Sequence, residues 1–484
     1  MSPTLLFTFV IAYFVLLLVV AYITSRNANN ESFFIGNKNS NWMLVAFGMI
    51  GTSLSGVTFV SVPGTVATNA FTYMQVVFGY LIGYVVIAYV LLPLYYRLNL
   101  TSIYHYLQQR FGFTAYKTGA LFFIISRTIG ATARLYLVIN VMQLFILDNL
   151  GVPFFVTALV ILLMILLYTF EGGVKTIVYT DTLQTSFMLL GLVVCVIYIM
   201  NNLGYGFGEA MQALGSEGYT RIMNSDVNSK GYFWKQVIGG ACITIAMTGL
   251  DQEMMQKNIS VRTLKDSQKN IMTFSVIIVF VNFLFLLLGG LLYIFAAQKG
   301  LNAAGDDLFP TVAMNYLPPA IGIIFIIALI SALFPSADGA LTALTSSFCI
   351  DMLGIKRNPE LNEKQQRRIR LTVHLTFTVI FMICILVFKW IDNKSIINII
   401  LDLAGYTYGP LLGLFGFGIL TKRQIPDSIA ITLVCLASPV ISYFITKNAA
   451  AWFGGFQIGI ELLLINGLIT YSGLLMLSKK SVIK

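Results

Sequence analysis

The chain has 484 residues, of which 57% are hydrophobic and 10% charged, with 30 Lys and Arg against 20 Asp and Glu for a net charge of +10. A soluble domain carries roughly 25% charged residues, so this composition excludes one. Apolar runs of about 20 residues, each long enough to cross ~30 Å of hydrocarbon, recur along the chain and predict an all-α polytopic membrane protein.

The first run, Leu5–Ile23, lacks a basic leader and a small-residue cleavage site, so it reads as a retained helix. Thirteen spans follow from hydropathy, at about 5–25, 41–65, 71–98, 117–148, 152–170, 175–201, 233–255, 272–298, 319–352, 368–389, 394–421, 427–446 and 453–478. The second span contains "GTSLSGVTFVSVPG", Gly51 to Gly64. Each Gly lowers helix propensity by roughly 1 kcal/mol relative to Ala, and Pro63 by about 3. Broken helices are tolerated in a membrane only where freed carbonyls face protein or a wet cavity. Carbonyls beside the hydroxyls of Ser53, Ser55 and Thr58 suit Na+, and close small-residue helix packing is the alternative.

In the fourth span Arg127 and Arg134 lie seven apart, on one helix face. A buried guanidinium needs an anion, which is either a substrate carboxylate or an internal Asp181, Asp338 or Asp402. Asp181, early in the sixth span, is either an interfacial charge or a cation ligand. "DQEMMQKNISVRTLKDSQKN" reads as a basic loop. The ninth span carries Pro335, Ser336, Asp338 and Gly339 mid-membrane, predicting a second broken helix whose missing amide frees a carbonyl near Ser331 or Ala332. A carboxylate at that depth is a functional-site hypothesis by default. In the eleventh span Gly405, Gly409 and Pro410 predict another interruption, where Tyr406 and Tyr408 would present hydroxyls and rings at a substrate-side gate or merely flank a kink.

With the N-terminus outside, 21 Lys and Arg fall in inner loops and the C-terminal tail, seven in outer loops and two within a span. Inner loops retain positive charge, so the C-terminus is expected in the cytoplasm and the net charge needs no nucleic-acid partner. The five Cys lie in apolar runs without CxxC spacing, and with only two His they indicate neither disulfides nor a metal centre.

Together "SLSGVTFVSVP", "EGGVKTIVYTDTLQ", "QEMMQKNISVRTLKDSQK", "LFPSADGALTALTSSF" and "GPLLGLFGFGILTKR" resemble, in order and spacing, the sodium:solute symporter family over essentially the whole chain. The resemblance implies a LeuT-type fold in one transporter domain. Its two inverted five-helix repeats would span about 41–201 and 233–421, with one extra helix at 5–25 and two at 427–478. Such carriers place ion and substrate near the midplane, at broken helices. The implied Na+ site uses the carbonyls of Gly51, Leu54, Ala332 and Pro335 and the hydroxyl of Ser336. Many relatives have Ser where this chain has Pro335.

Members similar to bacterial sialic acid transporters have a second Na+ site, built from an Asp matching Asp181 and from Ser residues in the ninth span. Those Ser positions read Pro335, Asp338 and Gly339 here, so a second cation would rest on Asp181 and Asp338. Arg134 matches an Arg that grips the substrate carboxylate in those members. Ser55 and Thr58 match hydroxyl positions of the same pocket, and Tyr73 an aromatic one. A Gln of that pocket is replaced by Val77. The expectation is a monomeric Na+-driven symporter of the cell (inner) membrane, not an enzyme, importing a small carboxylate-bearing solute by alternating access. A neutral sugar or polyol, or another small anion or vitamin, is the alternative solute. A sensor and a channel on the same fold are the remaining classes.

Overall fold

Backbone groups in a bilayer must find partners within the protein, so nearly every apolar segment closes into a helix. The computed structural model describes residues 3–26, 30–170, 173–391 and 396–479. The start of the eleventh expected span (394–395) and the end of the expected inner tail (480–484) lie outside the described residues.

In chain order the principal helices are α1 (Pro3–Ser25), α2 (Trp42–Ser53), α3 (Gly56–Gly64), α4 (Tyr73–Val86), α5 (Phe113–Met142), α6 (Phe154–Thr169) and α7 (Gly173–Leu203). They continue with α8 (Phe233–Thr244), α9 (Gln252–Ile259), α10 (Leu264–Gln298), α11 (Pro319–Ser347) and α12 (Glu363–Ile391). The last are α13 (Ile396–Thr407), α14 (Gly409–Leu420), α15 (Ala430–Trp452) and α16 (Leu462–Leu477). Among the described residues eight helices are long and apolar enough to cross a membrane, nine when the bent α2–α3 pair counts as one. The other expected spans fall on the shorter or broken helices α6, α8–α9, α13–α14 and α16.

The predicted break in the second span is present. The Asn41 side chain caps α2 by accepting from Met43 N at 2.9 Å, and α2 ends where Leu54 (φ −89°, ψ 26°) and Ser55 (φ −20°, ψ 170°) leave the helical region. The chain restarts as α3 at 53° to α2. Phe59 anchors α3 by stacking on Phe309 at 5.3 Å and meeting Phe285 of α10 edge-on at 5.5 Å. Such aromatic pairs add about 0.5–1.5 kcal/mol beyond burial.

The predicted break in the ninth span is absent, because α11 runs through Pro335 as one helix. A proline inside a membrane helix is tolerated when neighbouring helices re-satisfy the freed groups, and α11 is packed against α7, α5 and α2 along its length. The partner of the α2–α3 break lies instead between α8 and α9. There a π-helical turn, Ile245–Gly249, ends at Leu250 (φ −109°, ψ 13°), and Asp251 starts α9 by accepting from Glu253 N (2.9 Å) and Met254 N (3.2 Å). The segment expected as a basic loop is therefore, in its first half, a helix whose residues Gln252–Ile259 are all buried. A third break at Tyr408 separates α13 from α14, as expected, with Pro410 at the start of α14.

Candidate functional site

The two breaks face each other across a cavity of about 100 Å³. From the first, Ser55 and Thr58 line it; Tyr73, Tyr80 and Tyr84 project from α4; Arg127 and Arg134 enter from α5. Thr244 and Thr248 before the second break, Met254 of α9 and Asn282 of α10 complete the wall. Ser55, Thr58, Tyr73 and Arg134, all expected at the substrate, are thus brought together. The Tyr73 and Tyr80 hydroxyls stand 3.2 Å apart. Their spacing of seven, followed by Tyr84 four further on, marks one helix face, so both partners of Tyr73 were readable from its helix period.

Tyr406 is not part of this wall. Its ring packs beside Tyr443 at 6.3 Å and against the buried cluster of Ala449, Ile458 and Leu462, while its carbonyl accepts from Asn466 Nδ2 at 2.9 Å. The kink at Tyr408 turns it towards α15 and α16.

The two arginines have different fates. Arg127 is 3% exposed, pairs with Glu253 and lies 3.9 Å from Asp251 Oδ2. Its anion is internal, but it comes from α9 rather than from Asp181, Asp338 or Asp402. Asp251 also accepts from the Tyr408 hydroxyl at 2.8 Å, which joins the second and third breaks. Among the described residues no carboxylate lies within 4.0 Å of the Arg134 guanidinium, so it presents a positive charge to the cavity without an internal counter-ion. Glu253 and Lys257 went unread because charged residues between apolar runs look like loop. The signal was their i,i+4 spacing behind an Asp N-cap.

Around the first break, Gly51 N donates to Thr185 Oγ1 at 3.1 Å. A Cβ on Gly51 would strike that hydroxyl and reach within 3.4 Å of Pro335 Cγ, so the missing side chain lets the end of α2 meet α11 at the proline. The last carbonyls of a helix lack intrahelical partners, and Pro335 leaves another one turn earlier without its amide. The end of α2, with Gly51 and then Leu54, therefore meets α11 at Pro335, the helix turn that also carries Ala332 and Ser336. The Ser336 hydroxyl donates to Leu333 O at 2.9 Å, leaving its lone pairs open. Asp181 is bound by Lys257 Nζ at 2.7 Å, and Asp338 accepts from the Tyr168 hydroxyl at 2.7 Å.

A membrane-embedded helical bundle whose interrupted helices enclose a polar, positively charged cavity is the architecture of a solute carrier. The sequence profile of the sodium:solute symporter family matches residues 33–426, and the chain belongs to that family. It is similar to the sodium/sialic acid symporter SiaT of Proteus mirabilis (strain HI4320), 23% identical over 472 residues covering 94% of this chain and 92% of that protein. It is also similar to the sodium-coupled monocarboxylate transporter 2 of Mus musculus, 24% identical over 411 residues covering 81% and 64%. A solved substrate-bound, outward-open Na+-coupled sialic acid symporter shares the fold, with a TM-score of 0.84 at 18% identity over 98% of this chain and 99% of that one. The protein is a multi-pass Na+-coupled symporter and not an enzyme.

Proposed function

We propose that this symporter imports a small carboxylate-bearing solute, a sialic acid-like sugar acid or a simpler monocarboxylate, whose anion is gripped by Arg134. The observation that carries this reading is the contrast in one cavity between Arg127, held by Glu253, and Arg134, held by no carboxylate among the described residues. A planar fork of donors fits a carboxylate bidentately. Ser55, Thr58 and the tyrosines of α4 then supply hydroxyls and ring faces for the rest of the solute. The relatives named for sialic acid and for monocarboxylates share a carboxylate, which supports the same class. Val77, buried on α4, supplies no amide to the pocket, so sialic acid is one member of the panel to be tested and not a given.

Na+ would be held by the carbonyls of Gly51, Leu54, Ala332 and Pro335 and the hydroxyl of Ser336, joining α2 to α11. When bound it supplies one positive charge, whose inward movement is worth about 2.3 kcal/mol per 100 mV. We read 41–201 and 233–421 as inverted repeats because each opens on a broken helix pair, α2–α3 and α8–α9. Charge asymmetry supports an outer N-terminus and a cytoplasmic C-terminus in the cell (inner) membrane, with the monomer as the working unit. The experiment is a thermal-shift screen of the purified protein against N-acetylneuraminate, small monocarboxylates and neutral sugars, each in NaCl and KCl. The expected result is a Na+-dependent shift with carboxylates alone. A shift with neutral sugars alone, or none that depends on Na+, refutes the reading.

A further inference from the structure

Lys257 sits where its α9 helix passes between α2, α7 and α11. Its Nζ donates to Asp181 Oδ2 and to Thr52 Oγ1, each at 2.7 Å, and stands 3.6 Å from Glu253 Oε1. The Thr52 hydroxyl in turn donates to Asp181 Oδ2 at 3.2 Å. All four residues are at most 3% exposed. Gly339 faces the same point: a Cβ there would strike the Glu253 carboxylate and come within 3.1 Å of Lys257 Nζ. A side chain at position 339 and the two charged groups of α9 compete for one volume.

This is the place where the family resemblance implied a second Na+, resting on Asp181 and α11. The residues present do not fit it. Pro335 and Gly339 offer no hydroxyl, and the Asp338 carboxylate is turned to Tyr168. Asp181 keeps one oxygen, Oδ1, without a hydrogen-bond partner, but its other oxygen is taken by an ammonium. A cation leaving water needs several oxygens to replace its hydration shell. One carboxylate oxygen beside a fixed positive charge does not provide them, and the like charge repels a second cation.

We propose that the Lys257 ammonium is a tethered cation standing in for a second Na+, so that this symporter binds a single Na+. The ammonium carries the same unit charge, bridges the same helices and cannot leave. The contact between α2, α7 and α9 therefore persists when Na+ has departed, and only the α2–α11 contact responds to the Na+ gradient. This inference rests on the Na+ site proposed above.

Equilibrium binding of radioactive sodium to the purified full-length protein tests it without knowledge of the solute. One Na+ per protein is expected, with a Hill coefficient of one. Asp181→Asn should keep that one Na+, whereas Ser336→Ala should weaken it about tenfold. If Asp181→Asn fails to fold because Lys257 loses its partner, the neutral pair Asp181→Asn with Lys257→Met serves in its place, again with one Na+ expected. Two Na+ in the unmodified protein, or loss of the single Na+ when Asp181 is neutralised, overturns the inference while leaving Na+ coupling intact. No bound Na+ at all overturns the α2–α11 site itself, and the inference with it.

Discussion

Replacing each cavity arginine by alanine separates the two roles. Arg127 and Arg134 lie on one face of α5, seven residues or about 10 Å apart. Arg127→Ala leaves Asp251 without a cation and Glu253 with Lys257 alone at 3.6 Å, a cost towards the lower end of the about 3–5 kcal/mol for breaking a buried pair. Arg134→Ala breaks no ion pair and removes one of two like charges from a common cavity. Its effect on stability should be clearly smaller than that of Arg127→Ala. The order reverses for the solute. A charge-assisted hydrogen bond contributes about 1.5–3 kcal/mol, so Arg134→Ala should weaken a carboxylate solute about 10- to 150-fold at ~1.4 kcal/mol per decade. The assay is thermal unfolding of both variants in NaCl, with and without the carboxylate that shifts the unmodified protein. Equal destabilisation by the two substitutions, or an undiminished solute shift in Arg134→Ala, would refute the division of labour.

Three further outcomes are expected. Ser336→Ala removes the one side-chain oxygen of the proposed Na+ site, so the Na+ needed for half-maximal uptake should rise about tenfold, for ~1.4 kcal/mol, with little change in melting temperature; an unchanged Na+ requirement places the ion elsewhere. Asn466 Nδ2 donates to the Gly405 and Tyr406 carbonyls at 3.0 and 2.9 Å, and a buried acceptor left unsatisfied costs about 1–3 kcal/mol. Asn466→Ala should lower the melting temperature, and an unaltered one would mean that the α13–α14 break is held otherwise. Asp427, in the loop after α14, accepts from Phe113 N at 2.8 Å and Thr114 N at 2.9 Å at the start of α5, and its bonding to Thr114 holds its carboxyl below the ordinary carboxylate range. Its contribution is therefore complete above the unfolded value near ~3.9 and fades as pH falls through the lower folded value. Asp427→Ala should cost about 1 kcal/mol at pH 7, with the difference from the unmodified protein shrinking below about pH 4; a pH-independent difference would contradict this cap.

Composition and periodicity alone determined the class of the protein, most of its helices and the first break, because hydropathy and helix propensity are local properties. Gly51, Ser55, Thr58 and Arg134 stood out for the same reason, each being a polar or helix-weakening residue where apolar ones are expected, whereas Tyr73 was expected only through the family resemblance. Pro335 was misread, since a proline signals a lost hydrogen bond but not whether neighbours support the helix through it, and here α2, α5 and α7 do. Tyr406 was misplaced because a sequence period does not say which way a kink turns a side chain. What only the tertiary structure decided is the pairing of charges. Glu253 and Lys257 carry the same formal charges in a loop as in a bundle, yet the fold draws their short helix into the core. There one neutralises Arg127 and the other neutralises Asp181, while Arg134 keeps no carboxylate partner among the described residues. Long-range complementarity of this kind depends on distances across the bundle, of which the order of residues along the chain carries no record.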